Sequence, residues 1–156
     1  MVNKKGIDII KSREGLSLKA YLCPAGYWTI GWGSRFYEDG SPVKEGDIIT
    51  KDRAELLFKN TIKYFHDEIV NKLLKVKVNE DQLSALVSFA FNVGLDIDED
   101  FIAEGLGDST LLKKVNNNPN DPSIEKEFLK WTKSRGKVMR GLVLRRQEEA
   151  NLYFGR

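Results

Sequence analysis

Glu14, Cys23 and Thr29 are the residues whose types and spacing point to chemistry in this sequence. Glu14 stands at i+7 from Ile7 and shares a helical face with Ile7 and Ile10. A carboxyl group on the apolar side of a helix loses water, which raises its pKa and suits it to donate a proton near neutrality. Gly15 offers the left-handed position that ends such a helix, so the acid is expected at a rigid terminus, facing inward. Thr29 brings a hydroxyl that can hold a water molecule, and Cys23 brings a thiol. Each has a plainer reading: Glu14 as a cap or as the partner of Arg13 or Arg145, Thr29 as a strand former, and Cys23 as a small buried hydrophobe.

The element that must carry Cys23 and Thr29 is a hairpin. Leu18, Ala20 and Leu22 alternate with Ser17, Lys19 and Tyr21, a period of two. Cys23-Pro24-Ala25-Gly26 has Pro and Gly where a tight turn wants them. On the return run Tyr27 to Gly33, Trp28, Ile30 and Trp32 point one way; Thr29, Gly31 and Gly33 form a small face that leaves space for a substrate. Asp39-Gly40 is a second turn signal, from which a third strand is expected within a small antiparallel sheet over residues 16–49. A sheet of that size needs helical cover.

The rest of the chain reads as helix. Asn3 caps a first helix over 4–13. Thr50 caps a long one whose stripe is Phe58, Ile62, Phe65, Ile69 and Leu73, about 24 residues and roughly 36 Å in length. Asn79 to Gln82 resembles a capping box, and the helix behind it is apolar nearly all round to Asn92-Val93-Gly94, as a helix inside a core is. Residues 95–107 are acidic and interrupted by glycines, with a helical turn expected at Asp100–Glu104. Asp108 or Ser109 caps a short helix ending at Asn116 to Pro119. Asp121-Pro122 opens another with the stripe Ile124, Phe128 and Trp131, Ser134-Arg135-Gly136 breaks it, and a last helix runs from about Gly141 to Tyr153.

Composition narrows the class. With 156 residues, 41% hydrophobic and 31% charged, the chain is a globular fold unit with room for a real core. A net charge of +2 gives no basic footprint for nucleic acid. One cysteine excludes an internal disulfide, and one histidine, His66, expected on the polar side of the long helix, leaves neither a His-based triad nor a His/Cys metal cluster. No apolar run approaches the roughly 18 residues of a membrane span, and the first residues do not read as an export signal. No metal, no cofactor, no stable membrane insertion and a monomeric state are expected.

The runs Glu14-Gly-Leu and Ala20-Tyr-Leu-Cys-Pro-Ala-Gly-Tyr-Trp-Thr-Ile-Gly-Trp-Gly33 resemble the signature of phage T4-type lysozymes, the endolysin muramidases. So do Gln82 to Gly94, Ser109-Thr-Leu-Leu112, Lys130-Trp131 and Gly141-Leu-Val-Leu-Arg-Arg146, in family order over nearly the whole chain. The resemblance implies an α+β, predominantly helical two-lobed fold within a single lysozyme-like domain over 1–156. Its sheet lobe would cover about 14–50 and its linking helix about 51–74; a helical lobe of about 75–156 would include the helix at 4–13. It implies hydrolysis of the β-1,4 bond between N-acetylmuramic acid and N-acetylglucosamine in peptidoglycan glycan strands, with Glu14 as general acid and Thr29 holding water on the opposite sugar face. That geometry fits inversion, for which the flanking groups stand roughly 6.5–9.5 Å apart. Asn92, Phe91, Ser109 and Arg35 match positions expected to touch substrate.

Two departures stand out. Ser34 occupies a place where the family commonly has His. Cys23 occupies the place of an aspartate. A thiol with an ordinary pKa of about 8.5 is mostly neutral at pH 7, and a nearby carboxylate would raise it further. Its roles stay open between orienting water, acting as a thiolate base or nucleophile, and filling space. A lytic transglycosylase, which also needs one Glu, and a catalytically silent peptidoglycan-binding or virion module are the rival functions. As an endolysin the chain would be made in the host cytoplasm and reach the wall by a separate, holin-type route.

Overall fold

The computed structural model describes residues 1–98 and 104–156, and the helical turn expected at Asp100–Glu104 lies mostly outside them. The chain divides into two compact units: Lys11–Tyr64, and Met1–Ile10 together with Phe65–Arg156.

The first unit opens with the end of α1 (Lys4–Glu14). Gly15, at φ +70°, donates its amide to the Lys11 carbonyl at 3.0 Å and stops the helix as expected. The hairpin continues the chain as β1 (Ser17–Leu22) and β2 (Trp28–Gly31), antiparallel, with Tyr21 opposite Thr29 and an irregularity between Ser17 and Tyr21. The turn closes through the Gly26 amide on the Cys23 carbonyl at 2.8 Å.

Three expectations about this sheet need correction. β2 ends at Gly31, because Gly31 (φ +66°) and Gly33 (φ +82°) both take the left-handed conformation and fold the chain back so that Ile30 and Ser34 exchange backbone hydrogen bonds. The small face is covered rather than open: Thr29 and Gly31 are both buried, and Ala54 lies against Gly31. The third strand reduces to isolated bridges, Lys19 with Ile48 and Phe36 with Pro42. Pro42 has no amide to extend the pairing. Around the hairpin, Trp32 packs edge-on to Phe58 with ring centroids 5.8 Å apart, and the Lys11 ammonium sits 4.1 Å over the Trp32 ring while pairing with Glu55 at 2.8 Å.

The long helix is α2 (Lys51–Glu68), continued by one π-helical stretch over Ile69–Leu73. Together these 18 and 5 residues match the expected length, and the boundary between the two units falls inside α2, after Tyr64.

In the second unit α3 (Glu80–Val93) is buried from Gln82 through Ala90. Its start is the full capping box, with the Gln82 amide donating to Asn79 Oδ1 at 2.8 Å and the Asn79 amide to Gln82 Oε1 at 2.9 Å. The N-terminal residues belong here: the Asn3 side chain caps α1 at the Gly6 amide and donates to Asp81 at 2.7 Å. Next in the chain are α4 (Thr110–Asn117) and α5 (Ile124–Leu129). α5 stops before Trp131 and gives way to a hairpin of two-residue strands, β3 (Lys133–Ser134) and β4 (Lys137–Val138), turned by Arg135 at φ +51° and Gly136 at φ +79°. Positive φ at both central residues is the primed turn that matches strand twist. α6 (Arg140–Tyr153) closes the chain and packs on α3 and α5. Among the described residues no helix is long and apolar enough to cross a membrane.

Candidate active site

The hairpin unit brings Glu14, Cys23, Thr29 and Arg35 into one compact body. Glu14 is half-buried at the last residue of α1. Its charge reaches Tyr21: burial, then Glu14, then Cys23 push the Tyr21 phenol above its ordinary pKa. Tyr21 in turn faces Thr29 across the strand pair. Glu14 and Cys23 thus both act electrostatically on Tyr21, the residue opposite Thr29 in the hairpin, a link the sequence did not reveal.

Thr29 is buried, 4% exposed, and its hydroxyl donates to the Tyr27 carbonyl at 3.0 Å. That carbonyl also accepts from the Cys23 amide at 3.0 Å, so the turn and the threonine are tied to one oxygen. Burial would raise the Cys23 thiol, but hydrogen bonding with the backbone of Tyr27, with the Thr29 side chain and with the backbone of Ala25 and Gly26 outweighs it and holds the thiol below its ordinary value. This reverses the direction expected from a neighbouring carboxylate. A turn that wraps donors around a sulfur favours its anion more than a carboxylate disfavours it.

Arg35 is exposed and stacks on the turn, its guanidinium carbon 3.5 Å from the centre of the Tyr27 ring. The pair makes a flat aromatic and cationic surface beside Cys23. Ser34 is buried with its hydroxyl unpartnered among the described residues.

Phe91, Asn92 and Ser109 belong to the helical unit. Phe91 packs on Phe65 at 5.3 Å between ring centres. Ser109 is fully buried: its hydroxyl donates to the Leu106 carbonyl at 2.6 Å and accepts from the Leu112 amide at 3.1 Å as the N-cap of α4. Asn92 is exposed and lines a cavity of about 450 Å³ with Val93, Lys130, Trp131, Lys133, Ser134 and Leu142.

Sequence reasoning missed the polar cluster beneath Asn92. Arg145, Arg146 and Glu149 are all buried. Glu149 pairs with Arg145 and with Arg146 at 3.2 Å each and accepts from the Ser88 hydroxyl at 2.5 Å. It also missed a grouping of Asp96, Asp98 and Asp108, which bring one carboxylate oxygen each within 4.8 Å of one another on the loop after α3. The acidity of that loop was visible; its convergence depends on Asp96 at φ +54°.

With this geometry established, comparison with known proteins is decisive. Residues 11–149 match the family described as phage lysozyme. The chain belongs to the phage lysozyme family. It is 44% identical over 98% of its length to an endolysin of Bacillus phage B103, of which it spans 54%. It is thus about half as long as that relative, and covers a like share of an endolysin of Bacillus phage PZA. An endolysin of Acyrthosiphon pisum secondary endosymbiont phage 1 is 36% identical over 97% of both chains. Among solved structures, an endolysin from Escherichia coli O157:H7 phage FAHEc1 superposes with a TM-score of 0.79 at 34% identity, covering 98% of this chain and 92% of the other. The α+β, mainly helical lysozyme fold expected from the motifs is the fold observed.

Proposed function

We propose that this chain is an endolysin that hydrolyses the β-1,4 bond between N-acetylmuramic acid and N-acetylglucosamine in bacterial peptidoglycan. The observation that carries the reading is the grouping of Glu14, Cys23 and Thr29 about Tyr21 on the hairpin. Glycoside hydrolysis needs one proton donor at the leaving oxygen and a group on the far side that handles water. Glu14, fixed at the end of α1, protonates the glycosidic oxygen. Water held between the Thr29 hydroxyl and Cys23 attacks the anomeric carbon. Proton and water enter from opposite faces: the C–O bond breaks as Glu14 protonates the leaving oxygen, the attacking water sheds its second proton to bulk solvent to leave a new hydroxyl on the muramic acid, and solvent returns a proton to Glu14. Arg35 and Tyr27 border this site, and Asn92 with its cavity makes a further contact with the polymer.

The test is digestion of purified peptidoglycan by the wild type and Glu14→Gln, with products read by mass spectrometry. New reducing ends from the wild type and none from Glu14→Gln, at unchanged Tm, are expected. Anhydro-muramic ends would mean a lytic transglycosylase, and an inert wild type that still sediments with cell walls would mean a binding module.

A further inference from the structure

Asn92 is exposed near the end of α3, but its amide is not free to turn. Arg146, fully buried on α6, donates from Nη2 to Asn92 Oδ1. A guanidinium has only donors, so the Asn92 carboxamide must show it the oxygen. What remains for the cavity is the NH2 group, which can only donate. Arg146 is itself enclosed: its Nε forms an ion pair with Glu149 Oε1 at 3.2 Å, its guanidinium lies 4.9 Å from the centre of the Phe89 ring, and neither Nε nor Nη1 has a hydrogen-bond partner among the described residues. The hydrogen bond from Arg146 thus holds the Asn92 amide in one sense.

The cost of the arrangement argues that it has a use. Two guanidinium groups share one carboxylate in a dry interior, where burial pushes the Arg146 guanidinium down and the Glu149 carboxyl up from their ordinary values. A helix end needs no such cluster to satisfy an exposed Asn. The cavity wall beside Asn92 carries Lys133 and Ser134, two more donors, between the apolar surfaces of Val93, Trp131 and Leu142. Donors from two elements, α3 and β3, line it; Lys130 is engaged by Glu127 at 2.9 Å.

We propose that Arg146 is a positioning residue: clamped by Glu149, it locks the Asn92 amide with its NH2 toward the cavity, and so selects a hydrogen-bond acceptor, a carbonyl or carboxylate oxygen, on the bound polymer. This rests on the proposed function, in which peptidoglycan is the substrate. Peptidoglycan offers such oxygens on its N-acetyl groups and on its peptide stems.

Binding of soluble, uncross-linked glycan strands is measured in the Glu14→Gln background, and kcat and KM in the active chain. Asn92→Asp keeps an oxygen for Arg146 and turns the donor into an acceptor. It should raise Kd and KM about tenfold, the worth of one hydrogen bond reversed, with kcat within about twofold. Arg146→Met leaves Glu149 paired with Arg145 alone, and should raise Kd severalfold. The double variant should bind no worse than Asn92→Asp, because the clamp then has nothing to hold. Strands stripped of peptide by an amidase separate the two sources: an Asn92→Asp effect that persists names the N-acetyl carbonyl, and one that vanishes names the stem. A Kd unchanged by Asn92→Asp, or an Arg146→Met variant that loses Tm but binds as the wild type does, overturns the proposal. If the wild type binds but releases no sugar ends while Asn92→Asp still weakens binding, the positioning role stands and the muramidase reading falls.

Discussion

At the scale of single residues, Thr29 and Cys23 are tied to one backbone oxygen, the Tyr27 carbonyl. The Thr29 hydroxyl is bound to a carbonyl that keeps a second donor, the Cys23 amide, so removing the hydroxyl leaves no orphaned oxygen. Thr29→Val should therefore change stability by less than about 1 kcal/mol, while its rate of sugar release falls on the order of a hundredfold through loss of the water contact; Thr29→Ser should retain most of the rate. Cys23 makes a different prediction. Its donors favour the thiolate, so alkylation by iodoacetamide should show a midpoint pH below that of a free cysteine, and Thr29→Val should move the midpoint back up. Cys23→Ser should keep most of the activity if the thiol only orients water. A collapse of the rate in Cys23→Ser, with an alkaline rise in the wild-type pH profile that tracks the thiol, would make it the base.

Elements that announce themselves by period or cap were legible; those held by two or three residues were not. The stripe from Phe58 to Leu73 gave the long helix because five apolar residues at helical spacing admit no other fold. The hairpin over 133–138 stayed hidden because two-residue strands are too short to show alternation, and Trp131 looked helical because its spacing from Phe128 is helical while α5 had already ended. Buried charge is the other blind spot. Glu127 drew no notice in the sequence, yet it is 4% exposed and joins Lys114 of α4 at 2.9 Å to Lys130 at 2.9 Å. Burial raises the Glu127 carboxyl, but the two ammonium groups win and hold it below its ordinary pKa. A carboxyl with a lowered folded pKa stabilises fully above its unfolded pKa, and that stability is lost as pH falls through the folded value. Glu127→Gln should therefore lower stability by about 1–3 kcal/mol at neutral pH, and the Tm gap from wild type should close on acidification below about pH 4. A gap independent of pH would mean that packing, not charge, joins α4 to α5.

At the scale of the molecule, the chain leaves its helical unit after Ile10 and returns at Phe65, so its first ten residues belong to a body formed mostly by its last ninety or so. The attachment is specific. The Asn3 amide donates to the Ser84 hydroxyl at 2.9 Å and the Asn3 side chain to Asp81 at 2.7 Å. A Cβ on Gly6 would meet Ser84 Cβ at 2.8 Å, so α1 touches α3 as closely as glycine allows. Val2 and Ile10 are buried, the latter completely. Asp81 also lies beside the other end of the chain: a Cβ on Gly155 would stand 3.9 Å from its carboxylate. A few flexible residues can therefore join the two ends, and a permuted chain of 65–156, a short Gly/Ser linker and 1–10 should fold as a helical unit. Burying two aliphatic side chains is worth about 1.5–3 kcal/mol each as an upper bound. With about 4–8 °C of Tm per kcal/mol for a domain of this size, and the ordering of the appended residues opposing the gain, the permuted unit should melt several degrees above 65–156 alone. Asn3→Ala in the permuted chain should give back part of that gain, since it removes the cap and the Asp81 bond together. Equal melting temperatures for 65–156 with and without the appended residues would show that the N-terminal helix rides on the helical unit without stabilising it.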